Sequence, residues 1–260
     1  MGNVLLRRDF VPFDTYCAIQ GKDQKRHRLR SCRAFVIDMN GNQEFVGPGC
    51  ASALLGHTEF LAAKRLAPDL TTHDLTTDEQ SGHAGDGVEA GAGGAVDEAS
   101  RRHSYAAGYL HLRATALGLL PGIRSGVAAF GPLVELHAQF NVANRLTTDE
   151  VNRVLHIEEA ARAKAWIYSR MHLMDVYSAH HQMLRRKSEA VRDIQRHADR
   201  ANSLERWAKT LQSIHAQLLQ TLFISEKQIK ACKLNLRPEA FDAEKCNPRF
   251  TAKAPDPIPR

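Results

Sequence analysis

The chain has 260 residues, of which 43% are hydrophobic and 25% charged, and a formal net charge of +6. That length admits one large domain or two small ones at roughly 100–200 residues each. Its apolar content supports at least one core, which excludes a wholly disordered chain. Five cysteines over this length exclude a disulfide-built scaffold, and the longest apolar runs, such as residues 51–55, fall far short of the ~20 that span a bilayer.

Charge is distributed in blocks. The first 34 residues carry eight basic and three acidic side chains, whereas residues 68–99 carry eight acids and neither Lys nor Arg. This pattern predicts two basic surfaces joined by an acidic connector. A basic surface attracts polyanions, nucleic acid among them, through counterion release; ordinary solvation is the alternative. Arg7, Arg8 and Asp9 stand where a signal peptide has its apolar core, so no export signal is read. With an odd number of widely spaced cysteines, a cytoplasmic chain with reduced thiols and no membrane partner is expected.

In chain order, the first predicted module covers residues 1–70, its regular part starting near residue 10. Its clearest element is a β-hairpin. Residues 33–39 (RAFVIDM) are rich in β-formers, Asn40-Gly41 suits the two positive-φ positions of a type I′ turn, and 42–46 (NQEFV) returns. Gly47-Pro48-Gly49 then turns the chain into Cys50. Short helices are predicted at 51–55, ended by Gly56, and at 58–66, with Thr58 as N-cap and Pro68 past the end. Residues 71–103 read as an acidic, Gly-rich linker with too little apolar surface to offset its ordering entropy.

A helical domain is predicted over 104–236. Tyr105, Tyr109, Leu112 and Leu117 recur at helical spacing over 104–119, before Pro121-Gly122. Pro132 opens a further helix with the stripe Leu133, Leu136 and Phe140. From 133 to 236 there is neither Gly nor Pro, which predicts long helices. Thr147 and Glu150 match a capping box ahead of the stripe Val151, Val154 and Leu155. Asn202 with Glu205 marks a helix–helix turn between the stripes Leu184, Val191, Ile194, Ala198, Ala201 and Leu204, Leu211, Ile214, Leu218, Leu222. The pair forms an antiparallel hairpin, or a coiled-coil arm if that turn is absent. A Pro-containing tail, 237–260, follows. The expected fold class is mainly α, with a small N-terminal α+β finger-like module and a C-terminal helical bundle or long helical hairpin.

The chemistry-bearing constellation lies in 13–56. A cysteine with a following glycine (Cys17-Ala18-Ile19-Gln20-Gly21), a basic loop, a hairpin, and Val46-Gly47-Pro48-Gly49-Cys50 opening a helix follow one another. That order resembles the treble-clef zinc fingers found in proteins of bacterial phages and conjugative elements, with Gln20 where those place a second knuckle cysteine. The resemblance implies a structural zinc site. Four Cys or His ligands are wanted: Cys17 and Cys50, with Cys32 as a third and His27 or His57 as a fourth. The alternative is a finger without metal, held by Phe35, Ile37, Phe45 and Val46, with its cysteines as small buried residues.

The loop carrying Lys22, Lys25, Arg26, Arg28, Arg30 and Arg33 is the densest basic cluster and suits bidentate phosphate contacts. Arg185, Arg186 and Lys187 open a second basic helix face. There Glu189, Asp193 and Asp199 are interspersed, so self-pairing competes with DNA contact. His180 and His181 are adjacent and diverge on a helix. Known catalytic signatures (HExxH, GxSxG, a phosphate-binding glycine loop) are absent from the sequence. The expected function is a non-enzymatic accessory nucleic-acid-binding protein of a bacterial mobile element, binding DNA or RNA. Its helical body would dimerise or dock a protein partner. The alternative is a helical interaction scaffold with a merely structural finger, and an enzyme would need clustered titratable groups in a helical pocket.

Overall fold

The computed structural model describes residues 2–21, 24–72, 98–120, 126, 128–200, 205–221 and 224–234, with the backbone alone at 187, 198, 200, 205–207 and 219–221. Five strands come first: β1 (Val4–Phe10), β2 (Tyr16–Gln20), β3 (Arg26–Arg28), β4 (Arg33–Met39) and β5 (Asn42–Val46). Eight α-helices follow among the described residues: α1 (Pro48–Leu55), α2 (His57–Leu66), α3 (Glu98–His111), α4 (Gly131–Ala143), α5 (Thr148–Lys164), α6 (Arg170–Arg200), α7 (Glu205–Thr221) and α8 (Glu226–Ala231). The protein is mainly α with a small N-terminal β region. No helix of the described residues is long and apolar enough to cross a membrane.

The hairpin β4–β5 forms where Asn40-Gly41 predicts it. Asn40 has φ 57° and Gly41 φ 89°, and the Gly41 N–H donates to Asp38 Oδ1 at 2.6 Å. β4 is the central strand of an antiparallel sheet ordered β1-β4-β5. Phe35 and Ile37 enter the main core of this region, and Val36, on the opposite face of the pleat, is also fully buried. Phe35 meets Phe60 of α2 edge-on at 5.0 Å. The free edge of β1 is covered by residues 68–70: Arg8 N–H donates to Pro68 O, and Leu70 N–H to Arg8 O.

The chain forms two compact units. Of the described residues, the first gathers those up to 11 and from 15 to 177, so that β1–β5 and α1–α5 share it; the second holds 12–14 and those from 178 to 234. Within the first, His103 ties three segments together. Its Nδ1 lies 3.1 Å from Leu66 O, and its Nε2 accepts the Leu146 N–H at 2.8 Å. A neutral ring with its proton on Nδ1 satisfies both bonds, in keeping with a pKa lowered chiefly by burial. Ser104 Oγ donates to Ala67 O and Asn144 Nδ2 to Leu5 O. In the second unit, Ala190 and Ile194 of α6 share one core with Leu211, Ile214 and Leu218 of α7 and Ile229 of α8.

Several predicted boundaries are corrected. β1 begins at Val4, because Leu5↔Ile37 through Phe10↔Arg33 pair it with β4 across nearly thirty residues. α1 starts at Pro48, a residue that suits the first turn. The N-cap of α2 is Gly56 (φ 86°), not Thr58. α3 starts at Glu98, inside the segment read as linker, and buries His103. After His111 the helix widens to a π-turn (Leu112–Ala116) and tightens to a 3-10 turn (Leu117–Leu119). The capping box at Thr147 forms as predicted. The stretch without Gly or Pro nevertheless breaks at Asn144, which takes left-handed φ 50°, and again at Ala165–Ser169. The core of the linker (73–97), the turn at Asn202 and the tail 237–260 lie outside the described residues.

A polar network is buried beneath β1. Asp9 accepts from Tyr177 Oη (2.7 Å), Arg7 Nε (2.9 Å) and the Phe10 N–H (2.8 Å). Nearby, His111 Nδ1 and His137 Nε2 share a hydrogen bond of 2.9 Å, and Asn141 Nδ2 meets the other nitrogen of His137. In the π-turn, Arg113 donates to Ala128 O and Tyr109 Oη and lies over the Tyr168 ring at 4.8 Å. Wrapped by aromatics and hydrogen bonds, this charge is fixed rather than available.

Candidate metal centre

The site assembles where three elements meet. Cys17 is the second residue of β2. This strand pairs with β3 through Tyr16↔Arg28 and Gln20↔Arg26, so an irregularity takes up two extra residues on the β2 side. The turn between them closes with Gly21 N–H donating to Lys25 O, and Gln24 takes φ 59° to complete it. His27, central in β3, is thereby brought beside Cys17. Cys50 arrives from β5 through Gly47, whose carbonyl accepts the first helical bond of α1 from the Ala51 N–H. The ligand atoms of Cys17, His27 and Cys50 all lie within 4.8 Å of one another.

The surroundings fit a cation. Cys17 is fully buried, Cys50 half-buried and His27 exposed, so the trio spans from core to surface. Gly47 N–H donates to Cys17 Sγ at 3.5 Å. Burial raises the Cys50 thiol pKa, and a hydrogen bond and charge interaction with Cys17 raise it further. Two adjacent sulfurs resist joint ionisation in this way until a cation sits between them. Two sulfurs and an imidazole are a donor set that suits Zn²⁺. When bound, such an ion would cross-link β2, β3 and α1.

Gly47 is required here for space, since its φ of −71° is open to any residue. A Cβ at this position would stand 3.1 Å from His27 Nε2 and 3.4 Å from Leu29 Cδ2. Because His27 is exposed, its ring can give by the few tenths of an ångström needed and leave the fold intact, at the expense of its alignment with the two sulfurs. Gly47→Ala is therefore expected to weaken zinc binding by about 10- to 100-fold, the usual cost of disturbing a ligand's support. The thermal midpoint of the zinc-free chain should stay nearly unchanged. Competition titration against a zinc-sensitive dye measures this, and equal affinity in variant and parent would refute it.

The other expected ligands stand apart. Cys32 is buried at φ 54° in the turn before β4, its N–H donating to Leu29 O and its carbonyl accepting from Val11, and it lies outside the trio. His57, at the start of α2, is hydrogen-bonded through Nδ1 to Ser52 Oγ at 3.1 Å. The five candidates thus reduce to three.

The basic residues are placed as follows. Lys25, Arg26 and Arg30 are exposed, and Arg28 and Arg33 are half-buried. The guanidinium of Arg33 lies 5.8 Å from the Phe10 ring. Lys22 and the side chain of Lys187 fall outside the described residues. On α6, Arg186 is exposed, and Arg185 pairs with Glu189 at 2.9 Å. Further along, Arg192 pairs with Asp14 and stacks over Phe13 at 4.4 Å. The Gly47-Pro48-Gly49 turn is expected from the sequence; the structure adds the Gly47 N–H bond to Cys17 Sγ and the closeness of Gly47 to His27. Comparison with protein families, with curated proteins and with solved structures finds no match to this chain.

Proposed function

We propose that the protein is a non-enzymatic nucleic-acid-binding protein of a bacterial mobile element, whose first unit presents a metal-tied basic finger to phosphates. The observation that carries this reading is the position of the arginines. Arg26 and Arg28 flank His27 on β3, so the strand that supplies a ligand also carries the charges, and Arg30 follows within two residues. A metal that anchors His27 would fix the spacing of these guanidinium groups without occupying them. Preorganised arginines lose less freedom on meeting a phosphate than those of a loose loop. The helices α6 and α7 would serve as the docking or dimerising body.

A second reading, a helical interaction scaffold with a structural finger, is favoured by the α6 surface. There Arg185 and Arg192 are engaged by Glu189 and Asp14, as expected of a self-paired face. One titration separates the two. Binding of the full chain to a random DNA duplex should weaken steeply with salt. In Arg26→Gln/Arg30→Gln, the slope of log K against log salt should shrink by about 0.9 for each lost phosphate contact. Arg185→Gln should change little. Absence of duplex binding at low salt would remove the first reading and leave the second.

A further inference from the structure

We infer that Cys17 and Cys50 form a reversible thiol-oxidation site, and that its disulfide takes both sulfur donors from the metal centre and frees His27. This rests on the finger reading above for its consequence, but not for its chemistry. The two sulfurs lie within 4.8 Å of each other. Their burial differs in a useful way. Cys17 is fully buried and held by the Gly47 N–H, whereas Cys50 is half-buried at the first turn of α1, within reach of a small oxidant. The site therefore has a sulfur that meets the oxidant and a neighbour that resolves it. Among the described residues, Cys32 lies in a turn outside the trio, and Cys232 lies in the core of the second unit.

The oxidant is a peroxide. The Cys50 sulfur attacks one peroxide oxygen, the O–O bond breaks, and the other oxygen leaves as water after taking a proton. Cys50 is then a sulfenic acid. The Cys17 sulfur attacks the Cys50 sulfur, the S–O bond breaks, and a second water departs. Two electrons pass from the sulfur pair to the peroxide, and one S–S bond replaces two sulfur donors. The bond keeps β2 joined to α1. It leaves His27 as the single remaining donor, so a metal no longer ties β3 to α1, while β3 keeps its backbone pairing with β2. Oxidation would thus spare both sheets and free the His27 ring between Arg26 and Arg28.

The test uses the full reduced chain loaded with zinc, to which hydrogen peroxide is added. Expected are zinc release, seen with a chromogenic chelator, and a mass lower by two hydrogens. A tryptic cross-link between the Cys17 and Cys50 peptides should appear, and dithiothreitol should restore the starting state. Cys32→Ser should behave as the parent does. Retention of zinc under excess peroxide, a cross-link through Cys32, or Cys50 driven to sulfinic acid without a cross-link would overturn the inference. The same samples are assayed for duplex binding. If the reduced chain does not bind, the finger reading fails while a disulfide result stands. If it binds and no disulfide forms, only this inference is lost.

Discussion

On the reading that the trio holds one zinc ion, Cys50→Ser is expected to lower zinc content from one ion per chain to none and to abolish the stabilisation that zinc confers. The site has three side-chain donors among the described residues, so the loss of one leaves only two. A hydroxyl is a poor substitute, because it does not ionise near neutral pH and zinc binds the thiolate. For the parent chain, free zinc at about 1,000 times its dissociation constant stabilises the folded state by roughly 4 kcal/mol, through binding to that state alone. In the variant this increment should vanish. The zinc-free variant should lie close to the zinc-free parent, since Cys50 is only half-buried and serine nearly matches its volume. Two controls sharpen the result. Cys32→Ser and His57→Ala should retain the full increment, because neither side chain reaches the trio. Zinc analysis with thermal melts at fixed free zinc decides it, and a zinc-bound Cys50→Ser chain would exclude the trio as the site.

What the sequence disclosed follows from how local each signal is. The β4–β5 hairpin depends on two adjacent residues taking positive φ, and Asn40-Gly41 announces that directly. Thr147 and Glu150 close their capping box over three residues, again within one turn. β1 is different. VLLRRDF does not alternate cleanly, and it becomes a strand because β4 pairs with one edge and residues 68–70 cover the other. The helix breaks at Asn144 and at Ala165–Ser169 carry neither Gly nor Pro, so breaker counting overlooked them.

The metal centre shows the same division. Composition offered five donors; selecting three required knowing that β2 takes up two extra residues against β3 and sets Cys17 beside His27. Spacing along the chain could not supply that; it offered Cys32 as a third ligand after Cys17 and Cys50, and Cys32 lies outside the group of three. The buried His111–His137 pair was equally invisible. Its members lie 26 residues apart on separate helices, and neither has a neighbour in sequence that marks it.

That histidine pair should make the first unit acid-sensitive. Burial lowers the pKa of His111 from 6.5 to about 3, with the positive charge of Arg7 and the neighbouring His137 adding to the effect. His137 is lowered by burial and by Arg7 in the same sense. The groups around the pair offer no compensating contact to an added proton: Thr115 and Asn141 are neutral, and Asp9 is already engaged by Arg7 and Tyr177. Both rings are therefore neutral in the folded state, one nitrogen donating and the other accepting across 2.9 Å. Unfolded histidines take up protons below about 6.5, whereas folded His111 does so only near 3. Above 6.5 the pair leaves stability independent of pH. Below it the unfolded state binds more protons, and stability falls with pH by roughly 1.4 kcal/mol per unit for His111. By pH ~4.5 that amounts to roughly 3 kcal/mol, a large share of the 5–15 kcal/mol that holds a typical domain together. Denaturant unfolding followed through Trp166 in a Trp207→Phe background reports on this unit. In His111→Gln, stability at pH 7.5 should be lower than in the parent, and its decline toward pH 4.5 should be shallower by about one proton. Equal slopes in parent and variant would show that the pair accepts its protons as readily folded as unfolded.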